Sequence, residues 1–352
     1  MSKTRVIGLD IGTTYVRAAE VEFGSGGPAG RSVPELVRFG QVALPGGAVR
    51  DGEVAEPQTV ASALRQLWAQ NRFGSKDVII GVGNQRVLVR DLDLPAMPLP
   101  ELRTSLAFQV QDLIPVAVDD ALLDYYPSST AEGPHGPIYR GLLVAATKET
   151  VKANTSAVEL AGLRPMMVDL NAFALARVQA RGELAEGTIA FVDIGARVTN
   201  VVIVASGRPR FVRILPSGGQ DVTDAVANAL NISIEHAEGL KREIGVGYAV
   251  VPELEPAKEA INDVTGSLIE AIRNTLVYYA SSNPGGAVTQ VYITGGGTFL
   301  PGLGQFLSSA SRVPVALGQP LATLRVAGSA GDLSEVQSIL AVSVGLAFGV
   351  AA

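Results

Sequence analysis

Cysteine is absent from this 352-residue chain, so disulfides, thiol nucleophiles and thiolate metal sites are excluded, and the composition suits a reducing compartment. Histidine is almost absent too: His135 and His236 are too few for an imidazole metal cluster. With a net charge of −6 and no Lys/Arg run dense enough to follow a phosphate backbone, a nucleic-acid partner is not expected. Aromatic residues make up only 5%, and the single tryptophan, Trp68, shares a helical face with Val60, Leu64 and Leu67, a core position. No secretory leader is visible in Met1-Ser2-Lys3-Thr4-Arg5-Val6, which runs directly into a strand, so the protein is expected in the cytoplasm. A membrane span is missing as well. The most apolar stretch, 339–352, would reach about 21 Å as a helix, short of a hydrocarbon layer of roughly 30 Å, and it has no basic face for lying on a membrane surface. It reads as a buried terminal helix whose small residues, Ala341, Ser343, Gly345, Ala347 and Gly349, allow close packing on a sheet.

What is present is a hydrophobic fraction of 47%, enough for a large core, in a chain too long for one ordinary domain, so two lobes are expected. Each half carries the same short pattern. Gly8-Leu9-Asp10-Ile11-Gly12-Thr13-Thr14 near the start and Val192-Asp193-Ile194-Gly195-Ala196-Arg197-Val198-Thr199-Asn200 in the middle both read as strand, tight turn, strand. The glycine lets backbone N–H groups approach whatever the turn faces, and an anionic phosphate is the natural guest. An aspartate beside that guest repels it unless a cation lies between them, so the pattern implies magnesium with its water shell, and hence a Mg-nucleotide. Either turn alone reads equally as a β-hairpin in which Asp satisfies its own backbone; the repetition favours the nucleotide.

Two further glycine clusters belong with these. Gly295-Gly296-Gly297 ends a strand over 290–294 and forms a flat backbone shelf on which a base or ribose can lie. Gly218-Gly219 precedes a helix over 221–230, either as donors to an anion or as a plain helix entry. Glu238 and Lys241 stand one turn apart on a helix capped by Ser233 and stopped by Gly245, by default a surface ion pair. The glycine-rich 24–30 segment has no following Lys-Ser/Thr pair and is a hairpin loop.

Texture changes at Leu94-Pro95-Ala96-Met97-Pro98-Leu99-Pro100, whose prolines forbid regular structure and mark a hinge into an inserted unit. There a helix with the stripe Leu102, Leu106, Val110 and Leu113 is followed by strands over 120–127 and 139–146, joined by a loose loop over 128–137, and a helix over 150–161 closed by Gly162. The unit is a small α+β subdomain. The longest helix is expected over about 256–280.

Taken together, the three motifs resemble the phosphate-one, phosphate-two and adenosine motifs of the actin-like ATPase superfamily. The resemblance covers almost the whole chain and implies an α/β, two-lobed actin-like fold (a duplicated ribonuclease H-like fold) with an inserted small α+β 1C subdomain. The inserted block resembles that of the FtsA and PilM families. Phe108-Gln109-Val110-Gln111-Asp112-Leu113-Ile114-Pro115, Leu123-Asp124-Tyr125 and Val168-Asp169-Leu170-Asn171-Ala172-Phe173-Ala174-Leu175-Ala176-Arg177 are most similar to the PilM family of type IV pilus assembly proteins. The implied layout is lobe I over 1–86 and 165–186, the 1C insert over 87–164, lobe II over 187–220 and 286–334, subdomain 2B over 221–285, and a terminal helix over 335–352 that packs on lobe I.

The resemblance also implies cofactors and partners. ATP and Mg2+ are expected, with Asp10, Gly12, Thr13 and Thr14 facing the β- and γ-phosphates and metal, and Asp193, Gly195, Ala196, Thr199 and Asn200 closing from the other lobe. Asp10 and Asp193 would hold the metal through water. Gly218 and Gly219 would approach phosphate or ribose, Glu238 and Lys241 ribose and adenine, and Gly295, Gly296 and Gly297 the nucleoside. A groove between lobe I and the 1C subdomain would take the cytoplasmic tail of a PilN-like membrane protein, bringing the protein to the inner face of the membrane through that partner and into contact with other pilus motor or platform proteins. Ala196 replaces a glycine common in the superfamily, and Asn200 replaces an acidic or imidazole residue. Asn cannot take up a proton, which implies slow or absent hydrolysis. Two other readings share the motifs: a small-molecule kinase, which would need a carboxylate base over a polar substrate cleft, and an FtsA-like filament protein, which would add an amphipathic anchor after the position where this chain ends.

Overall fold

The computed structural model describes residues 3–30 and 32–349, so the ends of the expected terminal segments, Met1, Ser2 and 350–352, lie outside the described residues. The chain opens with an antiparallel meander, β1 (Thr4–Ile11), β2 (Tyr15–Phe23) and β3 (Glu35–Ala43). A short ribbon, β4 (Val49–Arg50) and β5 (Glu53–Val54), leads into α1 (Pro57–Asn71) and β6 (Asp77–Val82). The inserted unit is β7 (Val87–Pro95), α2 (Leu99–Val110), β8 (Ala121–Gly133), β9 (Gly136–Thr147) and α3 (Lys148–Leu160), after which β10 (Arg164–Leu170) and α4 (Asn171–Gln179) return to the first sheet. A second meander follows, β11 (Thr188–Ile194), β12 (Thr199–Ala205) and β13 (Arg208–Leu215), then α5 (Gly219–Leu230), α6 (Ile234–Ile244), α7 (Glu255–Ser282), β14 (Gln290–Thr294), α8 (Leu303–Ser311) and β15 (Val315–Leu317). Finally β16 (Arg325–Val326) and α9 (Ala341–Ala347) pack back on the first sheet.

The two lobes are one design used twice. Their sheets run β10-β6-β1-β2-β3, extended by β16, and β15-β14-β11-β12-β13. In each, the first meander strand sits in the middle, antiparallel to the second and parallel to the strand that follows the helices. Asp10 and Asp193 therefore occupy equivalent places, the penultimate residues of β1 and β11. Both strands are buried on both faces, with Ile7, Leu9 and Phe191 excluded from solvent. Each such side chain contributes about 1.5–3 kcal/mol. Local chemistry agrees with the ends of the elements: Pro57 opens α1, the Thr147 hydroxyl caps α3, and Ser233 accepts from the His236 N–H to start α6.

Four expectations need correction. β7 was not anticipated, because Leu88, Leu92 and Leu94 face the α2 cluster while Val87 and Val89 face the lobe junction, so apolar residues on both faces blur the alternation. Pro95 ends the strand, where a missing N–H costs nothing. β13 was likewise not anticipated. The loose loop over 128–137 is a paired hairpin that runs to Gly133 opposite Gly136, with Pro127 absorbed by a bulge on the outer strand. The terminal helix is shorter than expected, a 3-10 turn at Gln337–Leu340 followed by α9. It lies so close to the first sheet that a Cβ on Gly8 would fall 2.0 Å from the Ser343 carbonyl oxygen, and so close to α4 that one on Gly345 would fall 2.1 Å from the Ala174 carbonyl oxygen.

Candidate functional site

The two hairpin turns have the same geometry. Gly12 N–H donates to the Tyr15 carbonyl at 2.9 Å, and Gly195 N–H donates to that of Val198 at 3.0 Å. Each glycine is needed there: a Cβ would lie 3.0 Å from the Tyr15 oxygen in the first turn and 2.7 Å from the Val198 oxygen in the second. Among the described residues, the backbone N–H groups of Thr13, Thr14, Ala196 and Arg197 meet no acceptor, leaving donors free at both tips. Arg197 pins the second turn to α5 through Asp221, at 2.6 Å, and Asp224.

Behind the turns, two carboxylates from opposite lobes share one water-poor space. Burial raises Asp10 above the usual carboxylate range, opposed by Arg17, whose Nη1 is 3.7 Å from Oδ2. Burial, and then the charge of Asp10, push Asp193 up to about 6, although its Oδ1 accepts a hydrogen bond from the Thr294 hydroxyl at 3.0 Å. A carboxylate whose affinity for protons is raised by burial and further by a second carboxylate marks a site short of positive charge. Among the described residues no three His, Asp or Glu side chains gather into a protein-built metal cage. A hard cation that keeps waters and takes phosphate oxygens alongside two carboxylates fits this donor set, and magnesium is such a cation.

The other expected residues fall into two groups. Gly219 stands where the second turn, the triplet and α6 meet: a Cβ there would lie 3.6 Å from the Gly297 Cα, 3.7 Å from the Gly195 oxygen and 3.8 Å from Lys241 Nζ. Yet the first amides of α5 are taken. Gly218 N–H donates to Asp221 at 2.7 Å, Gly219 N–H to the Gly195 carbonyl at 2.9 Å and Gln220 N–H to that of Ala196 at 2.7 Å. Close packing of this helix start on the turn thus accounts for Gly218, since its Cβ would be 2.5 Å from the Gly195 oxygen. Thr199 is fully buried and donates its hydroxyl to the Ser217 carbonyl at 2.8 Å, which holds the same loop in place. In the triplet, Gly295 and Gly297 are pressed against Ile194, whereas Gly296 faces open space.

The pair Glu238 and Lys241 is not the surface pair expected from its spacing. Lys241 is only 7% exposed, and Nζ reaches Glu238 at 2.5 Å, the Thr223 hydroxyl at 2.8 Å and the Gly219 carbonyl at 3.0 Å. Burial lowers the Lys241 pKa against the pull of Glu238. For Glu238, burial acts upward but is outweighed by hydrogen bonds from Lys241, Thr223 and Arg242, which hold it below the usual range.

Four contributors went unrecognised in the sequence. Arg17 lies opposite Asp10 in the first hairpin just as Asn200 lies opposite Asp193 in the second, so aligning the two repeats would have found it. Thr294 orients Asp193. Asn171, at the start of α4, and Asn200 both approach Gly83, and the side-chain oxygens of both asparagines are buried without a hydrogen-bond donor. Arg242 lies over the Phe299 ring at 5.5 Å, next to the triplet.

This duplicated fold with paired acidic turns matches known proteins along its length. A family model described as type IV pilus assembly protein PilM matches residues 8–350. The chain belongs to the PilM family. A PilM-PilN type IV pilus biogenesis complex superposes with a TM-score of 0.85 at 26% identity, covering 99% of both chains. MreB5 of Spiroplasma citri bound to AMPPNP superposes with a TM-score of 0.55 at 14% identity, covering 97% of this chain and 94% of that one, a likeness of fold. The fold of this PilM-family chain is therefore the two-lobed actin-like one. Cell division protein FtsA of Bacillus subtilis is 20% identical over 267 residues, 69% of this chain and 58% of that protein, so the chain spans less than two thirds of that relative's length. No helix among the described residues is long and apolar enough to cross a membrane.

Proposed function

We propose that this chain is a MgATP-binding component of type IV pilus assembly that takes the cytoplasmic tail of a PilN-like inner-membrane protein at its inserted subdomain. The observation that carries the nucleotide reading is the pair Asp10 and Asp193: half-buried carboxylates from opposite lobes, each raised in pKa, beside two turns whose tips offer unused N–H donors. Magnesium would supply the charge that lets a triphosphate sit there, held by Asp10 and Asp193 with water between. Thr13, Thr14, Ala196 and Arg197 would donate backbone N–H groups to phosphate oxygens. Glu238, held in place by the buried Lys241, would face the ribose, and Gly296 and the Arg242–Phe299 pair the base.

This chain's own residues favour binding over turnover. Asp10 and Asp193 would be committed to the metal, and the polar groups beside Gly83 are the amides of Asn171 and Asn200, which can orient a water but cannot take its proton. The partner reading is supported by family membership and by the likeness to a PilM-PilN complex. Calorimetry of the purified protein tests the nucleotide reading: MgATP should bind with little turnover, Asp10→Ala and Asp193→Ala should abolish binding, and Phe299→Ala should weaken ATP and GTP to different degrees. Turnover that survives Asp10→Ala would overturn it. Co-purification of the detergent-solubilised PilN-like protein with this chain tests the partner reading.

A further inference from the structure

The inserted sheet, which runs β7-β9-β8, meets lobe II along both of its edges. At one edge β7 and β13 leave a groove of about 930 Å³ between them, walled by the stretches from Val87 to Asp91 and from Phe211 to Ile214. At the other edge the contact is direct. The Ser128 hydroxyl donates to the Pro209 carbonyl at 2.9 Å, Arg208 Nη1 to the Ser128 carbonyl at 3.3 Å, and Arg210 Nη1 to the Ser129 hydroxyl at 2.9 Å. Among the described residues no other hydrogen bond and no ion pair joins the insert to lobe II.

Both sides of this clasp are β-bulges. On β8 the pairing with β9 skips Ser128, and on β13 the pairing with β12 skips Arg210. A bulge gives up one ladder position and re-aims the extra residue. Here the two extra residues are the ones that reach across to the other strand. Ser128 and Pro209 are both buried, so the hydroxyl and the carbonyl it meets have no water as an alternative partner.

What the clasp joins decides what it does. The insert is carried by lobe I: Ala157 and Val158 of α3 are buried with Leu64 and Leu67 of α1, Arg65 donates to the Leu160 carbonyl at 2.9 Å, and the Thr150 hydroxyl donates to Glu53 at 3.1 Å. β13 belongs to lobe II. Its far end, about 20 Å along the strand from Pro209, is Leu215, which pairs with Thr199 beside the second acidic turn. The chain itself crosses between the lobes only in 180–187 and 318–324. Any change in the angle between the lobes therefore slides β13 against β8, and hydrogen bonds weaken steeply once bent or stretched.

We infer that the clasp is a latch on the cleft between the lobes: a ligand lying between Asp10 and Asp193 enters and leaves only while the bonds of Ser128, Arg208 and Arg210 are broken. In taking that ligand to be MgATP, the inference rests on the proposed function. A latch of this kind acts on rates. It adds the same barrier to entry and to exit, so affinity scarcely depends on it.

Stopped-flow binding and release of a fluorescent ATP analogue with Mg2+ test the latch in the full chain. Arg210→Ala and Ser128→Ala should each speed both entry and release by about fivefold or more, with affinity nearly unchanged. Ser128 is buried, so Arg210→Ala, at a half-buried position, carries the test if Ser128→Ala does not fold. Faster release with entry unchanged would mean a damaged site and overturns the latch. The absence of cysteine permits a reversible lock. Ser129→Cys with Arg210→Cys should exchange nucleotide as fast as Arg210→Ala, slow to well below the wild-type rate when joined by a short bifunctional methanethiosulfonate, and recover on reduction. Joined protein that exchanges at the unjoined rate overturns the inference. Lobe motion is read independently by energy transfer between dyes on Lys76→Cys and Glu243→Cys, exposed positions in lobes I and II. Arg210→Ala should broaden that distance distribution in nucleotide-free protein, and an unchanged distribution overturns the latch. If the wild-type protein binds no nucleotide, the nucleotide reading fails and the dye distances alone decide the latch.

Discussion

Replacing Asp193 by Asn should make the nucleotide-free protein more stable at pH 8 while destroying its response to MgATP. Asp193 titrates near 6 in the folded chain against an ordinary 3.8, because burial and Asp10 disfavour its charged form. A carboxyl whose pKa is raised on folding leaves stability untouched at low pH, where both states are protonated. Stability is then lost as the pH climbs from about 4 to about 6, and the full penalty persists above that. Two units correspond to about 3 kcal/mol at about 1.36 kcal/mol per unit, and relaxation around a coupled pair reduces this to about 1–3 kcal/mol. Asn is nearly isosteric and can still accept from Thr294. Thermal melts of wild type and Asp193→Asn from pH 4.5 to 8 should therefore lie close together at the acid end and separate by several degrees at the alkaline end, with the variant higher. Added MgATP should raise the wild-type transition, since a ligand at about 100 times its Kd contributes about 2.7 kcal/mol, and leave the variant unmoved. A variant that melts below wild type at pH 8, or a gap that does not change with pH, would refute the picture of two carboxylates in one cleft waiting for a cation.

Three other outcomes are expected. Gly218→Ala places a Cβ 2.5 Å from the Gly195 carbonyl and should lower stability by about 1–3 kcal/mol and weaken ATP binding more than tenfold, whereas Gly296→Ala meets open space and should leave the melting temperature unchanged. Gly8→Ala should loosen the packing of α9 on the first sheet, detectable as faster amide exchange in both, because the Ser343 carbonyl must move away. Asn200→His supplies a proton acceptor at the lobe junction and should raise steady-state ATP turnover by tenfold or more; unchanged turnover would place the missing base elsewhere.

Much of the fold was legible because the informative residues are local. A buried strand, an aspartate and a turn glycine recur in both halves, and helix signals such as Ser233, Gly245 and Gly162 act within a few residues of themselves. β7 and β13 were not legible. Their faces serve two different cores, so neither strand shows the alternation that marks a half-buried strand, and both are outermost strands whose place depends on partners far away in sequence. The site divides in the same way. The turns around Asp10 and Asp193 announce themselves by repetition, while Thr294, Arg17 and Asn171 are ordinary residues until the sheets bring them beside a carboxylate or an orphaned amide.

The sequence alone determined two acidic glycine turns, a glycine triplet and the exclusion of thiol chemistry and of an imidazole metal cluster, since each follows from residue type and short spacing. Only tertiary structure decided that the two aspartates share one space, that Lys241 is a buried strut, that the α5 amides are spent on the neighbouring turn, and that β7 and β13 leave a groove between them. Charge coupling, burial and edge exposure are properties of distances across the chain, and these exist only once the two lobes have folded against each other.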